Sequence, residues 1–143
     1  MTLSQDTLFA LCRIGVIAAT KAGELIQDRA GSGLKVAHKN AGSTLASQVV
    51  TEVDLAAQKI ILDYIFPTLA EHELGLLTEE SADDNSRFNK DYFWCIDPMD
   101  GTLPFIQQRE GYSVSIGLVT KGGQSVLGVV YDPWNKKLYH AVK

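Results

Sequence analysis

Trp94-Cys95-Ile96-Asp97-Pro98-Met99-Asp100-Gly101-Thr102 is an apolar run that ends in two carboxylates three positions apart, followed by glycine and threonine. The run reads as a strand. Pro98 and Gly101 shape a stiff turn at its end. Two carboxylates aimed the same way from such a turn make a site for hard divalent cations such as Mg²⁺. The backbone N–H groups of Gly101 and Thr102 are then placed to hold a phosphate oxygen. Cation beside phosphate points to metal-assisted phosphoryl hydrolysis.

Outward from this stretch, the pattern downstream is that of a meander. Strands are predicted over residues 92–96, 112–120, 125–131 and 137–142; residues 104–111 read as a connection, and the last three strands are joined by short turns rich in glycine, proline and asparagine. Tyr112, Val114, Ile116 and Leu118 alternate with Ser113, Ser115 and Gly117, so one face is bulky and the other small enough for a further layer to pack closely. Upstream, Leu8, Leu11, Ile14, Ala18, Ala22 and Leu25 recur at helical spacing and predict a helix over 4–29, capped by Ser4 and stopped by Gly31 and Gly33. A short strand is read over 34–37 and a polar loop over 38–48. A second helix opens near Thr51, where Thr51 and Asp54 resemble a capping box. It carries Ala57, Ile61, Tyr64 and Ile65 to a stop at Pro67. Residues 75–78 read as a strand that runs into Glu79-Glu80-Ser81, and residues 82–90 as a charged loop. The fold class expected is α+β: two long helices packed on a mostly antiparallel sheet, in one unit over 1–143.

The 143 residues allow one domain of ordinary size. Hydrophobic residues at 45% and charged residues at 21% are those of a globular protein. A net charge of −4 argues against a general nucleic-acid binder, and no apolar run reaches the ~20 residues of a membrane span. Residues 1–6 are polar without a basic run, so no leader is expected and the cytoplasm is the expected compartment. Cys12 and Cys95 sit in apolar contexts and read as two buried free thiols. The three histidines are scattered without zinc-ligand spacing. No nucleotide-binding phosphate loop and no nucleophile elbow occurs.

Three acidic clusters fall where a regular element meets a loop: Asp54, Glu79 with Glu80, and Asp97 with Asp100. Taken singly, Asp54 reads as a helix cap, Glu79 and Glu80 as solvated charges, and Asp97 as a turn former. Together they read as one site. Two ions ~4 Å apart can hold the attacking water and the leaving oxygen of a phosphate ester, with Asp97 between them. A hydroxyl such as that of Thr102, backed by a carboxylate, can orient the water or take its proton.

These residues resemble the inositol monophosphatase family of Mg²⁺-dependent, lithium-sensitive phosphatases. The resemblance is carried by Trp94 to Thr102, then Phe105, then Val114-Ser115-Ile116-Gly117-Leu118. Val50-Thr51-Glu52-Val53-Asp54 and Thr78-Glu79-Glu80-Ser81 precede it in the family's order, with Thr78 where the family has glycine. It implies that Glu79, Asp97 and Asp100 ligate metal through carboxylates and Met99 through its backbone carbonyl. It implies that Thr102, with Glu79 or Asp54, activates the water, and that Asp100, Gly101 and Thr102 meet the substrate. It implies a small phosphorylated polyol, sugar or nucleotide as substrate, a homodimer, and the N-terminal lobe of a sugar-phosphatase-like αβαβα fold.

Two departures matter. The family's second half, with its W-D-x-A segment, has no counterpart here, so the chain reads as the N-terminal metal-binding lobe with the C-terminal lobe absent. The bulky face of the meander is accordingly expected to be left uncovered. Leu103-Pro104 also replaces the Thr-Asn common in inositol phosphatases and the Lys-Glu common in bisphosphate nucleotidases. The alternatives are therefore a bisphosphate nucleotidase of the same superfamily or a non-catalytic metal-binding remnant. A haloacid-dehalogenase-like reading of Asp100-Gly101-Thr102-Leu103 fails because the nucleophile position is Pro98.

Overall fold

Ser4 begins the first helix, α1 (Gln5–Arg29), and its Oγ accepts the N–H of Thr7 at 3.1 Å. The computed structural model describes residues 1–31 and 43–143. The strand read at 34–37, the stop at Gly33 and the start of the polar loop lie outside the described residues. Helix α1 ends at Ala30, followed by Gly31 at φ +90°. Its buried stripe includes Leu8, Leu11, Ala18, Ala22 and Ile26, with Ile14 and Leu25 at the margin. Gly23 lets α1 close on the sheet, because a Cβ there would lie 2.3 Å from the Tyr131 ring.

Helix α2 (Ser43–Glu71) differs from the expectation at both ends. It begins eight residues before Thr51, whose hydroxyl donates to the Ser47 carbonyl one turn back at 3.0 Å. Such a bond belongs to a helix interior and not to a cap. Asp54 is therefore no N-cap. Pro67 is inside α2, on the exposed side, and does not end it. The helix continues because Ile61, Ile65 and Thr68 keep the same face buried. Thr68 donates to the Ile65 carbonyl at 2.7 Å and accepts the indole N–H of Trp94 at 2.9 Å.

The five strands are β1 (Gly75–Thr78), β2 (Tyr92–Asp100), β3 (Ser113–Thr120), β4 (Ser125–Asp132) and β5 (Lys137–Val142), in the order β1-β2-β3-β4-β5. β1 runs parallel to β2 and every other pairing is antiparallel. A 3₁₀ turn (Ser86–Phe88) interrupts the loop read at 82–90, and Ser86 Oγ accepts the N–H of Leu76 on the β1 edge at 2.9 Å. Helices α1 and α2 cover one face of the sheet, over Trp94, Ile96, Val114, Ile116, Leu118 and Val129. The bulky residues of β3 are thus the covered ones, against expectation. The face left uncovered by the described residues is the small one, where Cys95, Gly117, Val119, Gly128 and Val130 line a groove of about 540 Å³. Cys95 is exposed there, whereas Cys12 is buried. Both thiols are free.

Candidate active site

Strand β2 does not turn at Pro98. It continues to Asp100, and the register places Asp97 opposite Ser115 and Asp100 opposite Ser113. Two residues, Pro98 and Met99, thus face one on β3, which makes a β-bulge. Proline is tolerated there because it has no ladder N–H to lose. The bulge also re-aims the strand end. The Met99 N–H donates to Asp97 Oδ1 at 3.1 Å, while the Met99 side chain is buried.

The turn follows at Gly101, at φ +90°, and a short helix α3 (Thr102–Ile106) begins directly after it. A Cβ on Gly101 would lie 2.3 Å from the Gly111 carbonyl oxygen, and Gly111 itself sits at φ +119° against the Pro104 ring. The turn is therefore held by direct contact with the backbone entering β3. Gly101→Ala is expected to cost about 2–4 kcal/mol, from the left-handed backbone and the clash together. A thermal melt of the variant checks this, and an unchanged midpoint would mean that the contact relaxes without cost.

The structure brings Glu79 and Asp97 side by side. Glu79 follows β1, its N–H donates to the Ile96 carbonyl at 3.1 Å, and its carboxylate lies within hydrogen-bonding reach of Asp97. Burial and the facing Glu79 push the Asp97 carboxyl up from its ordinary value, Asp100 adds to the rise, and the Met99 N–H opposes it.

Asp54 reaches the same place from α2. It is only 7% exposed, and its Oδ1 has no hydrogen-bond partner among the described residues. Its pKa rises from 3.8 to about 7, first through burial, then through the charges of Glu80 and Asp97. None of the ion pairs among the described residues reaches Asp54, Glu79, Glu80, Asp97 or Asp100.

Other expected members are less closely gathered. Asp100 is exposed and acts on Asp97 through its charge. Thr102 is exposed at the start of α3, and no hydrogen bond found among the described residues joins its hydroxyl to Asp54 or Glu79. No three histidine, cysteine, aspartate or glutamate side chains among the described residues form a ready-made coordination shell. Even so, the donor set fits a hard divalent cation. All the donors are oxygens, the carboxylates face one another without a cationic side chain among the described residues, and one buried carboxylate oxygen is unsatisfied.

Sequence reasoning missed Gln58. Its only signal was a polar residue one turn after Asp54, on a face that otherwise carries Val53, Ala57, Ile61 and Ile65.

A pair of helices on a mostly antiparallel sheet, with carboxylates gathered at a bulged strand end, is the architecture of sugar-phosphatase-like folds. The chain belongs to the inositol monophosphatase family, whose profile matches residues 10–143. It is 37% identical over 133 residues to the Nus factor SuhB of Escherichia coli K12, covering 93% of this chain and 47% of that protein. It is 34% identical over 95 residues to the inositol-1-monophosphatase of Bacillus subtilis, covering 66% of this chain and 35% of that protein. The crystal structure of inositol monophosphatase II from Staphylococcus aureus superposes with a TM-score of 0.73 at 31% identity, covering 93% of this chain and 46% of that one. The chain thus spans about half the length of the curated relatives it matches. No helix among the described residues is long and apolar enough to cross a membrane.

Proposed function

We propose that this chain is the metal-binding lobe of a Mg²⁺-dependent phosphatase that hydrolyses a small phosphate monoester of the inositol monophosphate kind. The observation that carries the reading is that Asp97 on β2 is faced both by Asp54 from α2 and by Glu79 just after β1, with Asp54 Oδ1 buried and unsatisfied among the described residues. Isolated surface carboxylates have no reason to converge in this way, because their mutual repulsion is destabilising.

Glu79, Asp97 and Asp100 would hold the cation through carboxylates and Met99 through its carbonyl. Bound there, Mg²⁺ supplies Lewis-acid polarisation of a phosphoryl oxygen and a more acidic water. The chain's own groups do the rest. The bulge at Pro98 and Met99 interrupts the regular β2–β3 register next to the Met99 carbonyl. Asp54, with a pKa near neutrality, suits a group that accepts a proton from the attacking water. Thr102 would orient that water, backed by Asp54 or Glu79. Asp100 and the amides of Gly101 and Thr102 would face the phosphate.

The test is release of inorganic phosphate from an inositol monophosphate, a sugar phosphate and a nucleotide bisphosphate, with Mg²⁺ and with chelator. It is run on this chain and on a protein carrying this lobe with a second half like that of the relatives. Mg²⁺-dependent release by the longer protein, with inositol monophosphate preferred, is the expected result. A preference for the nucleotide bisphosphate would move the assignment to the nucleotidase branch. No release from any ester by the longer protein would remove the phosphatase reading.

A further inference from the structure

We propose that Gln58 is the positioning residue that fixes the Glu79–Glu80–Ser81 segment to α2, and so holds the Glu79 carboxylate where a divalent cation can share it with Asp97. The inference rests on the metal-assisted reading above and extends it to a side chain outside the ligand set.

Gln58 is 4% exposed and lies one turn beyond Asp54 on the same helix face. A buried amide on an apolar face is costly unless both its ends are bonded. Here both are. Its Oε1 accepts the Glu80 N–H at 3.3 Å, and its Nε2 donates to Ser81 Oγ at 2.7 Å. A backbone N–H can only donate, so the orientation of the amide is fixed by chemistry: oxygen toward Glu80, nitrogen toward Ser81.

On the other side, the Glu79 N–H is held by the Ile96 carbonyl of β2 at 3.1 Å. Residues 79–81 are therefore tied between the sheet and α2. Groups that orient metal ligands in this way act on affinity without touching the ion. A neutral amide does so without adding to the repulsion among Asp54, Glu79, Glu80 and Asp97.

The experiment is an Mn²⁺ titration of the 143-residue chain, followed by water proton relaxation, together with hydrogen exchange at the Glu80 amide. Gln58→Leu keeps the volume and removes both bonds. Mn²⁺ affinity should fall by roughly tenfold or more, and the Glu80 amide should exchange faster. Gln58→Glu can accept from both the Glu80 N–H and the Ser81 hydroxyl, so it should restore slow Glu80 exchange in the metal-free chain. If Gln58→Leu does not fold, Ser81→Ala removes one end of the clamp from an exposed position and should give the smaller change in the same direction.

A folded Gln58→Leu chain with the parent's Mn²⁺ affinity and the parent's Glu80 exchange would overturn the proposal, as would unchanged Glu80 exchange in Ser81→Ala. A parent chain that binds no Mn²⁺ while Gln58→Leu still speeds Glu80 exchange would sink the metal reading and leave the tether standing as packing alone, which also overturns the positioning role.

Discussion

Asp97→Asn is expected to lower phosphate-ester turnover by about 10³-fold, in a protein that carries this lobe with a second half like that of the relatives. That loss corresponds to about 4 kcal/mol of transition-state stabilisation. Asparagine preserves the size of the side chain and can still accept the Met99 N–H through its carbonyl oxygen. It removes the charge that faces Glu79 and that would be shared between cations. The fold should survive, because the residues around Asp97 that build the core are Trp94, Ile96 and Met99. The measurement is kcat beside a thermal melt of the same variant. Turnover within a few-fold of the parent would take Asp97 out of the mechanism.

The second large effect is on stability against pH. Asp54 has a folded-state pKa of about 7 against an ordinary 3.8, and Asp97 is shifted in the same direction. A raised carboxyl pKa means that the folded chain binds protons more tightly than the unfolded chain. The stabilisation is fully present below the ordinary value and is lost as the pH rises through about 7. With chelator present, the melting temperature should therefore fall between pH 5 and pH 8. Across pH 5 to pH 8 the Asp54 share has an upper bound of roughly 3 kcal/mol, which solvent entering the half-open cluster reduces. Mg²⁺ should restore the loss at pH 8 and do little at pH 5, where Asp54 and Asp97 hold their protons. Asp54→Asn should flatten the slope. A melting temperature that rises from pH 5 to pH 8 in chelator would contradict the shared burial of these carboxylates.

The architecture was legible because its signals are local. The period of α1, the alternation along β3 and the short turns around β4 each follow from a few neighbouring residues. The ends of α2 were not, because they are decided by tertiary packing. Thr51 looks like a cap until the helix behind it is seen, and Pro67 is carried by the buried face of Ile61, Ile65 and Thr68. The candidate site was readable in the sequence only as a set of residue types. That Asp97-Pro98-Met99-Asp100 is a bulge and not a turn depends on the β3 register, which the stretch itself does not encode. The Gln58 tether spans 22 and 23 residues to Glu80 and Ser81, and no spacing rule connects a helix interior to a loop at that distance. The open face was misplaced because alternation distinguishes two faces of a strand without saying which one the helices take.

The contact between Gly101 and Gly111 closes residues 101–111 into a ring pinned at its neck. What happens around a pinned ring is mechanically insulated from what lies behind the pin. Leu103, 59% exposed, and residues 107–110 can change in kind, or the ring can lengthen at a closure cost of only about 0.6 kcal/mol per doubling, while the bulge and its carboxylates keep their positions. On the proposed reading, substitutions that alter what is recognised would be separated from those that alter ion handling. In such a lineage the two properties can diversify at different rates.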